Sequence, residues 1–240
     1  MPYQAIVAEL GPAGIGRITL DRPDKLNALT AAMRREISSC LAAWAGDPAV
    51  RAVIFTGAGR AFCAGFDIEE FARADLHPEI LASSTAYHGD VWRFPKPTIA
   101  AVNGLAAGGG FDLATLCDLR LCAEGAWFSH PELRHGAPPL FTPLRWMVGD
   151  AVARELCLTR RRVTAAEALR RGIVSQVVPD GELLAAAGAL AGLILEAPDE
   201  ALRFTKACFT ASGQRGFEAA LAEEHDRAFR ELTLSPARWR

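Results

Sequence analysis

Between Ala100 and Asp118 the chain reads Ala-Ala-Val-Asn-Gly-Leu-Ala-Ala-Gly-Gly-Gly-Phe-Asp-Leu-Ala-Thr-Leu-Cys-Asp. A strand-like apolar run stops at Asn103-Gly104, and a helical pattern begins behind Gly108-Gly109-Gly110. Glycines at the mouth of a helix let backbone come close to a ligand, and the first N–H groups of that helix have no intrahelical partner. Aimed at an oxygen that gains negative charge, such donors stabilise it. Asp112 follows in the first turn, so a candidate acid or base lies beside candidate oxyanion donors; its alternative role is to cap or complement the helix start. The segment Ala61-Phe62-Cys63-Ala64-Gly65-Phe66-Asp67 has the same design, a backbone N–H at a strand-to-helix junction. Two such loops can converge on one oxygen, although each glycine alone is also consistent with a plain turn. Neither ends in the phosphate-cradling Gly-Lys-Ser/Thr, and Gly104–Gly110 misses the dinucleotide glycine spacing.

Other groups add to this. In Ser129-His130-Pro131-Glu132-Leu133, Pro131 fixes the approach of Glu132, which either projects into a cleft or is a solvated carboxylate. His130 and His135 are further acid–base candidates. Asp67 is a possible helix cap, and Asp118 is expected to pair in the core or with Arg120. The six cysteines (40, 63, 117, 122, 157, 208) form no Cys-x-x-Cys pair and read as small core residues in a reducing compartment. The histidines lack a ligand spacing, so no metal is expected. A net charge of −2 gives no nucleic-acid signal. Arg160-Arg161-Arg162 is a solvated turn or a local phosphate contact. No basic–apolar–small leader and no membrane-length apolar run is present, so a cytoplasmic protein with no membrane partner is expected.

The elements that must position these groups alternate. Tyr3–Leu10 and Ile15–Leu20 read as strands around a Gly11–Gly14 turn. Thr30 caps a helix carrying Met33, Ile37, Leu41 and Trp44 on one face. Val50–Thr56, Thr98–Val102, Leu119–Ala123 and Trp127–Phe128 read as strands, with helices starting at Ile68 and spanning Phe111–Cys117. The rest is mainly helical, over Leu144–Leu158, Ala165–Arg171, Glu182–Leu195, Ala201–Ser212 and Phe217–Leu232, interrupted by a strand at Ile173–Val178. The pattern alone gives α/β or α+β.

From about Ile15 to Phe229 the chain resembles the enoyl-CoA hydratase/isomerase, or crotonase, superfamily. The segments that carry this occur in the family's order: Asp21-Arg22-Pro23-Asp24-Lys25-Leu26-Asn27-Ala28-Leu29; Val50 to Gly57 through Phe62-Cys63-Ala64-Gly65-Phe66-Asp67; Lys96-Pro97-Thr98 through Asp118; His130-Pro131-Glu132-Leu133; and Thr164-Ala165-Ala166-Glu167-Ala168 before Gly172-Ile173-Val174. The resemblance implies an α/β fold, a crotonase-like spiral of strand-strand-helix turns over residues 1–180. A C-terminal helical trimerisation region at 181–240 follows, giving a homotrimer or a dimer of trimers. It implies an acyl-CoA thioester as substrate and no cofactor besides it. The oxyanion donors would be the N–H groups of Phe66 and Gly109, and the catalytic carboxylates Glu132 and Asp112. Lys25, Leu26, Ala28, Ala64, Asp67, Ile68 and Leu140 would bind coenzyme A or substrate, with Lys25 and Lys206 as phosphate contacts. The implied reaction is hydration of a 2-enoyl-CoA. The alternatives are double-bond isomerisation with Glu132 as proton shuttle, and a non-catalytic acyl-CoA- or RNA-binding relative.

Two departures from the hydratase pattern bear on this. Asp112 stands where hydratases carry Glu; losing a methylene withdraws the acid by roughly 1–1.5 Å, and misplacement on that scale costs about a hundredfold. The glycine-rich segment that helps hold water is replaced by Gly136-Ala137-Pro138-Pro139-Leu140-Phe141-Thr142-Pro143-Leu144. Prolines remove N–H donors, and Leu140, Phe141 and Trp146 would make an apolar wall or pack the core.

Overall fold

A computed structural model describes residues 3–227 and 229–233. The ends of the two expected regions, residues 1–2 and 234–240, lie outside the described residues. Strands β1 (Ile6–Leu10) and β2 (Ile15–Leu20) form an antiparallel pair, and helix α1 (Ala31–Gly46) follows. Thr30 caps α1, its side chain accepting from the Met33 N–H at 3.1 Å, a contact that stabilises a helix by about 1 kcal/mol. Met33, Ile37 and Leu41 are buried one turn apart, as the spacing predicts.

Three turns of one unit come next. β3 (Ala52–Gly57) and β4 (Ala61–Cys63) lead into α2 (Ile68–Phe71) and α3 (His77–Arg93). β5 (Thr98–Val102) and β6 (Leu105–Ala107) lead into α4 (Gly109–Leu116), and β7 (Leu119–Ala123) and β8 (Trp127–Ser129) into α5 (Phe141–Val148) and α6 (Asp150–Thr159). β9 (Val163–Thr164), α7 (Ala165–Arg170), β10 (Gln176–Val178), α8 (Leu183–Ile194) and α9 (Asp199–Ala220) complete the order, with π-helical turns over Leu221–Arg227 and Phe229–Thr233. In each unit the first strand joins a six-stranded sheet, β1-β2-β3-β5-β7-β10, and the second a four-stranded sheet, β4-β6-β8-β9. β2-β3-β5-β7-β10 are parallel. This is the spiral the resemblance implied. The corner from the large sheet to the small one brings the 57–67 and 102–109 segments side by side.

β3 and β5 are buried almost throughout, which is why they read as unbroken apolar runs rather than alternations. One face packs on α1, α3 and α4. The other packs on α8, where Leu183, Ala187 and Ala191 meet Ile54, Ile99, Ala101, Leu121 and Ala123. No single helix among the described residues is long and apolar enough to cross a membrane; α8 and α9 pass such a test only as a pair bent by 104°.

Besides the short strands β4, β6 and β9, which were not expected, the structure departs from the expected elements in four places. The seventeen-residue α3 went unread because Ser83, Ser84 and His88 lie on its buried face and interrupt the apolar stripe. The single helix expected over 144–158 is two, broken at Gly149, whose φ is +77°. The two helices expected over 201–212 and 217–232 begin instead as one, α9, running through Gly213 and Gly216. A Cβ at these positions would lie 2.7 Å from the Trp92 ring and 2.8 Å from the Trp146 ring, so these glycines admit close neighbours and do not break the helix. The strand expected over 173–178 is confined to β10.

Candidate active site

The two glycine loops meet. Gly108 opens the turn into α4, its N–H donating to the Ser129 carbonyl at 3.0 Å. A Cβ on Gly110 would lie 2.3 Å from the Cys63 carbonyl oxygen, and one on Gly109 would lie 2.8 Å from the Phe66 ring. Only glycine allows α4 to start this close to the first loop. Gly109 is the first residue of α4, so its N–H has no intrahelical partner.

The first loop is zipped to the 26–29 backbone. The Ala64 N–H donates to the Leu26 carbonyl at 2.9 Å, Leu29 N–H to Gly65 carbonyl at 2.8 Å, and Asp67 N–H to Leu29 carbonyl at 3.2 Å. In this parallel bridge the Gly65 and Asp67 groups do the bonding, so the Phe66 N–H points away from Leu29. Buried Asn27 secures the turn by accepting from the Arg22 N–H and donating to the Ala58 and Ala61 carbonyls.

Both loops line one cavity, together with Asp112 and Glu132. Asp112, in the first turn of α4, is 5% exposed, and its Oδ1 is buried without a hydrogen-bond partner. Burial pushes its carboxyl well above the usual carboxylate range; the neighbouring Glu132 charge adds to this and His130 opposes it. Glu132 lies over Gly108, where an added Cβ would come within 3.2 Å of Oε1. That oxygen is 3.1 Å from His130 Nδ1, while Oε2 is buried and unpartnered. The His130 ring is fully buried and stacks on Phe111, with centroids 4.7 Å apart. Burial works against its protonation, but the charge and hydrogen bond of Glu132, with Asp112, outweigh it and raise the His130 pKa. An acid biased toward its neutral form thus stands beside a histidine whose protonation its glutamate partner favours.

Asp112, His130 and Glu132 offer ligand atoms within 4.8 Å of one another, as no other group among the described residues does. Distance alone would suit a cation. However, metal ligands must be deprotonated, whereas His130 directs Nδ1 at Glu132 and burial favours a protonated Asp112. Within the trio His130 and Glu132 are hydrogen-bonded to each other, and Asp112 stands beside them.

The remaining residues singled out from the sequence divide. Ala64, Ile68 and Leu140 line the cavity, Ile68 being 56% exposed at its mouth. Asp67 does not line it; its carboxylate accepts from Arg22 at 2.9 Å and caps α2 through the Glu69 N–H. Leu26 and Ala28 present backbone whose carbonyls accept from Ala64 and Arg22. Lys25 is half-exposed and pairs with exposed Glu69. The phosphate role expected for Lys206 is overturned: it is buried, and its Nζ lies 2.6 and 2.7 Å from the two Asp118 oxygens. Asp118 therefore takes Lys206 as side-chain partner, while Arg120 donates to the Ile173 and Cys117 carbonyls. Arg161 joins a surface network with Glu155 and Glu167, and Arg162 lies 4.0 Å over the Trp127 ring.

Sequence reading missed the far wall. Glu224 and His225, on the π-helical turn after α9, line the cavity with Phe71 and Phe229. Glu224 accepts from the Phe141 and Thr142 N–H groups, tying this turn to the start of α5. His225 packs against His88 of α3. The two histidines are 137 positions apart, and no local spacing joins them.

Known proteins resemble this chain in sequence and in fold. The enoyl-CoA hydratase/isomerase family model matches residues 11–234. A probable enoyl-CoA hydratase, echA8, of Mycobacterium tuberculosis is 39% identical over 226 residues, which is 93% of this chain and 86% of the relative. Carnitinyl-CoA dehydratase of Proteus mirabilis is 36% identical over 84% of this chain and 78% of its own length. Among solved structures, an enoyl-CoA hydratase/isomerase from Xanthobacter autotrophicus superposes with a TM-score of 0.87 at 34% identity, covering 95% of this chain and 87% of that one. An enoyl-CoA hydratase from Mycobacterium avium subsp. paratuberculosis gives 0.88 at 31% identity, covering 98% and 92%. With the fold and the matched length agreeing, the chain belongs to the enoyl-CoA hydratase/isomerase family, a crotonase-type enzyme.

Proposed function

We propose that this protein hydrates a 2-enoyl-CoA thioester. The observation that carries the reading is that Phe66, Gly109, Asp112 and Glu132 line one cavity. The thioester oxygen sits between the two N–H groups, which hold the enolate charge as it develops. Glu132, paired with His130, is the carboxylate that takes a proton from water as the water oxygen bonds to the β-carbon. Asp112, kept toward its neutral form by burial, delivers a proton to the α-carbon. Burial of Asp112 and the hydrogen bond between Glu132 and His130 are the basis for taking the first as acid and the second as base.

Coenzyme A lies along the strip formed by Lys25, Leu26, Ala28 and Ala64–Ile68. The Lys25–Glu69 pair is solvent-screened and exchanges readily for a phosphate. Exposed Leu158, Phe204 and Phe209 support association into trimers.

Isomerisation is the second reading, with Glu132 carrying a proton between carbons. The cavity wall at Ala137, Pro138 and Leu140 favours it, because a proline-containing wall has fewer donors with which to hold water. A panel of 2-enoyl- and 3-enoyl-CoA substrates, followed by the conjugated-thioester absorbance, separates the two. Hydration removes the 2-enoyl signal, and isomerisation creates it from 3-enoyl substrates. Glu132→Gln and Asp112→Asn should each depress turnover; wild-type rates in both variants would refute the catalytic assignment. Tight coenzyme A binding without any turnover would indicate a binding protein.

A further inference from the structure

The cavity wall around Phe66 is largely apolar, and of its two polar groups Glu224 is committed to the Phe141 and Thr142 N–H groups, which leaves His225. Phe66, Phe71, Leu140 and Phe229 line this wall, and His225 is set among them. His225 is 5% exposed and stacks on Phe229 at 4.3 Å between centroids. Its Nδ1 lies 2.7 Å from Asp226 Oδ1, which also accepts from Thr85 Oγ1 at 2.7 Å. A carboxylate only accepts, so Nδ1 carries the hydrogen and Nε2 presents a lone pair. That Nε2 is buried and has no partner.

His88 stands behind it, fully buried and edge-on, with ring centroids 4.7 Å apart. Its Nδ1 lies 2.7 Å from the Ser84 carbonyl, another pure acceptor, so its buried, unpartnered Nε2 is a lone pair as well. Burial keeps both rings neutral, His88 being driven down to about 3. An unpaired buried acceptor is costly, and here two point to the same need, a hydrogen-bond donor.

The surroundings narrow the donor. A carboxylate or ketone on the acyl chain brings no hydrogen. An ammonium would meet the Arg34 guanidinium, which is buried over the Phe66 ring at 4.7 Å. A plain alkyl chain leaves the acceptor unpaired. We propose that His225 is a specificity-determining residue that receives a hydroxyl group carried by the acyl chain beyond the reacting carbons, so that the preferred substrates are hydroxylated 2-enoyl-CoA esters. This rests on placing the thioester at Phe66 and Gly109, as the proposed function does.

The test compares ω-hydroxy 2-enoyl-CoA esters of four to six carbons with their unsubstituted counterparts. At one chain length or more, the hydroxylated ester should show kcat/KM roughly tenfold or more above its counterpart, the scale of one buried hydrogen bond. His225→Phe keeps a flat ring without the acceptor and should abolish the preference, mainly through KM. His225→Gln, which can offer a carbonyl, should restore part of it and remains informative if His225→Phe does not fold. Ratios within twofold at every length in the wild type, as a bound water satisfying Nε2 would produce, overturn the proposal. Calorimetric binding of the saturated hydroxyacyl- and acyl-CoA esters separates the two readings. A hydroxyl preference without turnover refutes the hydratase and retains this inference, whereas turnover without preference does the reverse.

Discussion

Two buried histidines, His225 in the cavity wall and His130 behind the cavity's Glu132, each place Nδ1 against a carboxyl group, and they respond in opposite ways. His130 meets Glu132 at 3.1 Å and its pKa rises; His225 meets Asp226 at the shorter distance of 2.7 Å and its pKa falls. The hydrogen bond therefore does not decide the sign. Burial opposes the cation at both places. At His130 the charge and hydrogen bond of Glu132, with Asp112 a smaller contributor, outweigh burial. At His225 the Arg34 guanidinium works with burial, and the two outweigh Asp226. One motif thus yields a charged wall suited to moving protons and a neutral wall suited to receiving a hydrogen bond.

The largest effect separates the two walls by the same isosteric change. Glu132→Gln removes the proposed base and should lower kcat by roughly a thousandfold, within the 10²–10⁴ range of general acid–base catalysis. Asp226→Asn makes the corresponding change at the neutral wall and should act on KM, leaving kcat within about threefold. Steady-state kinetics on one enoyl-CoA substrate checks both. Equal losses of kcat would show that the walls are not functionally distinct.

The pH dependence of stability should also differ in sign. His88 and His225 have folded pKa values below the unfolded value of 6.5. Their neutral forms stabilise the fold, and this is lost as pH falls below 6.5, in the case of His88 down to about 3. His130 has a raised pKa; its contribution is complete below 6.5 and is lost as pH rises through its folded value. Each group changes stability by at most about 1.4 kcal/mol per pH unit. Urea unfolding of His88→Phe should therefore show a flatter acid limb than the wild type, and His130→Gln a flatter alkaline limb. Parallel curves for all three would remove the contrast.

The charged wall was the legible one, because its parts sit in local patterns. Gly108-Gly109-Gly110, Asp112 and His130-Pro131-Glu132 each lie at the end of a short buried strand, and strands ending on one edge bring such ends together. The neutral wall joins α3 to the turn after α9, and nothing local links His88 to His225. Polar residues on its buried face also hid α3 itself. Lys206 and Asp67 show a related limit. A lysine or aspartate reads as a ligand contact from its type alone, but burial commits each to a specific partner, Asp118 and Arg22, that only the packed chain brings near. Gly213 and Gly216 read as a helix break because the tryptophan rings that require them come from elsewhere in the sequence.

The smallest effect concerns the length of the acid on the charged wall. Asp112 is buried with one oxygen unpartnered, as expected of an acid that reaches its target only when substrate fills the cavity. If the reaction is hydration and Asp112 is a shortened acid, Asp112→Glu returns the carboxyl toward the α-carbon and should raise hydration by up to about tenfold, since ångström-scale placement carries effects of that order or larger. The added methylene also enters a packed site, where overpacking costs about 1–3 kcal/mol, so unfolding should be followed alongside rate. A faster variant with modestly lower stability supports the acid role. An unchanged or slower rate in a folded variant would leave Glu132 as the only proton carrier on this wall, which is what the isomerase reading requires.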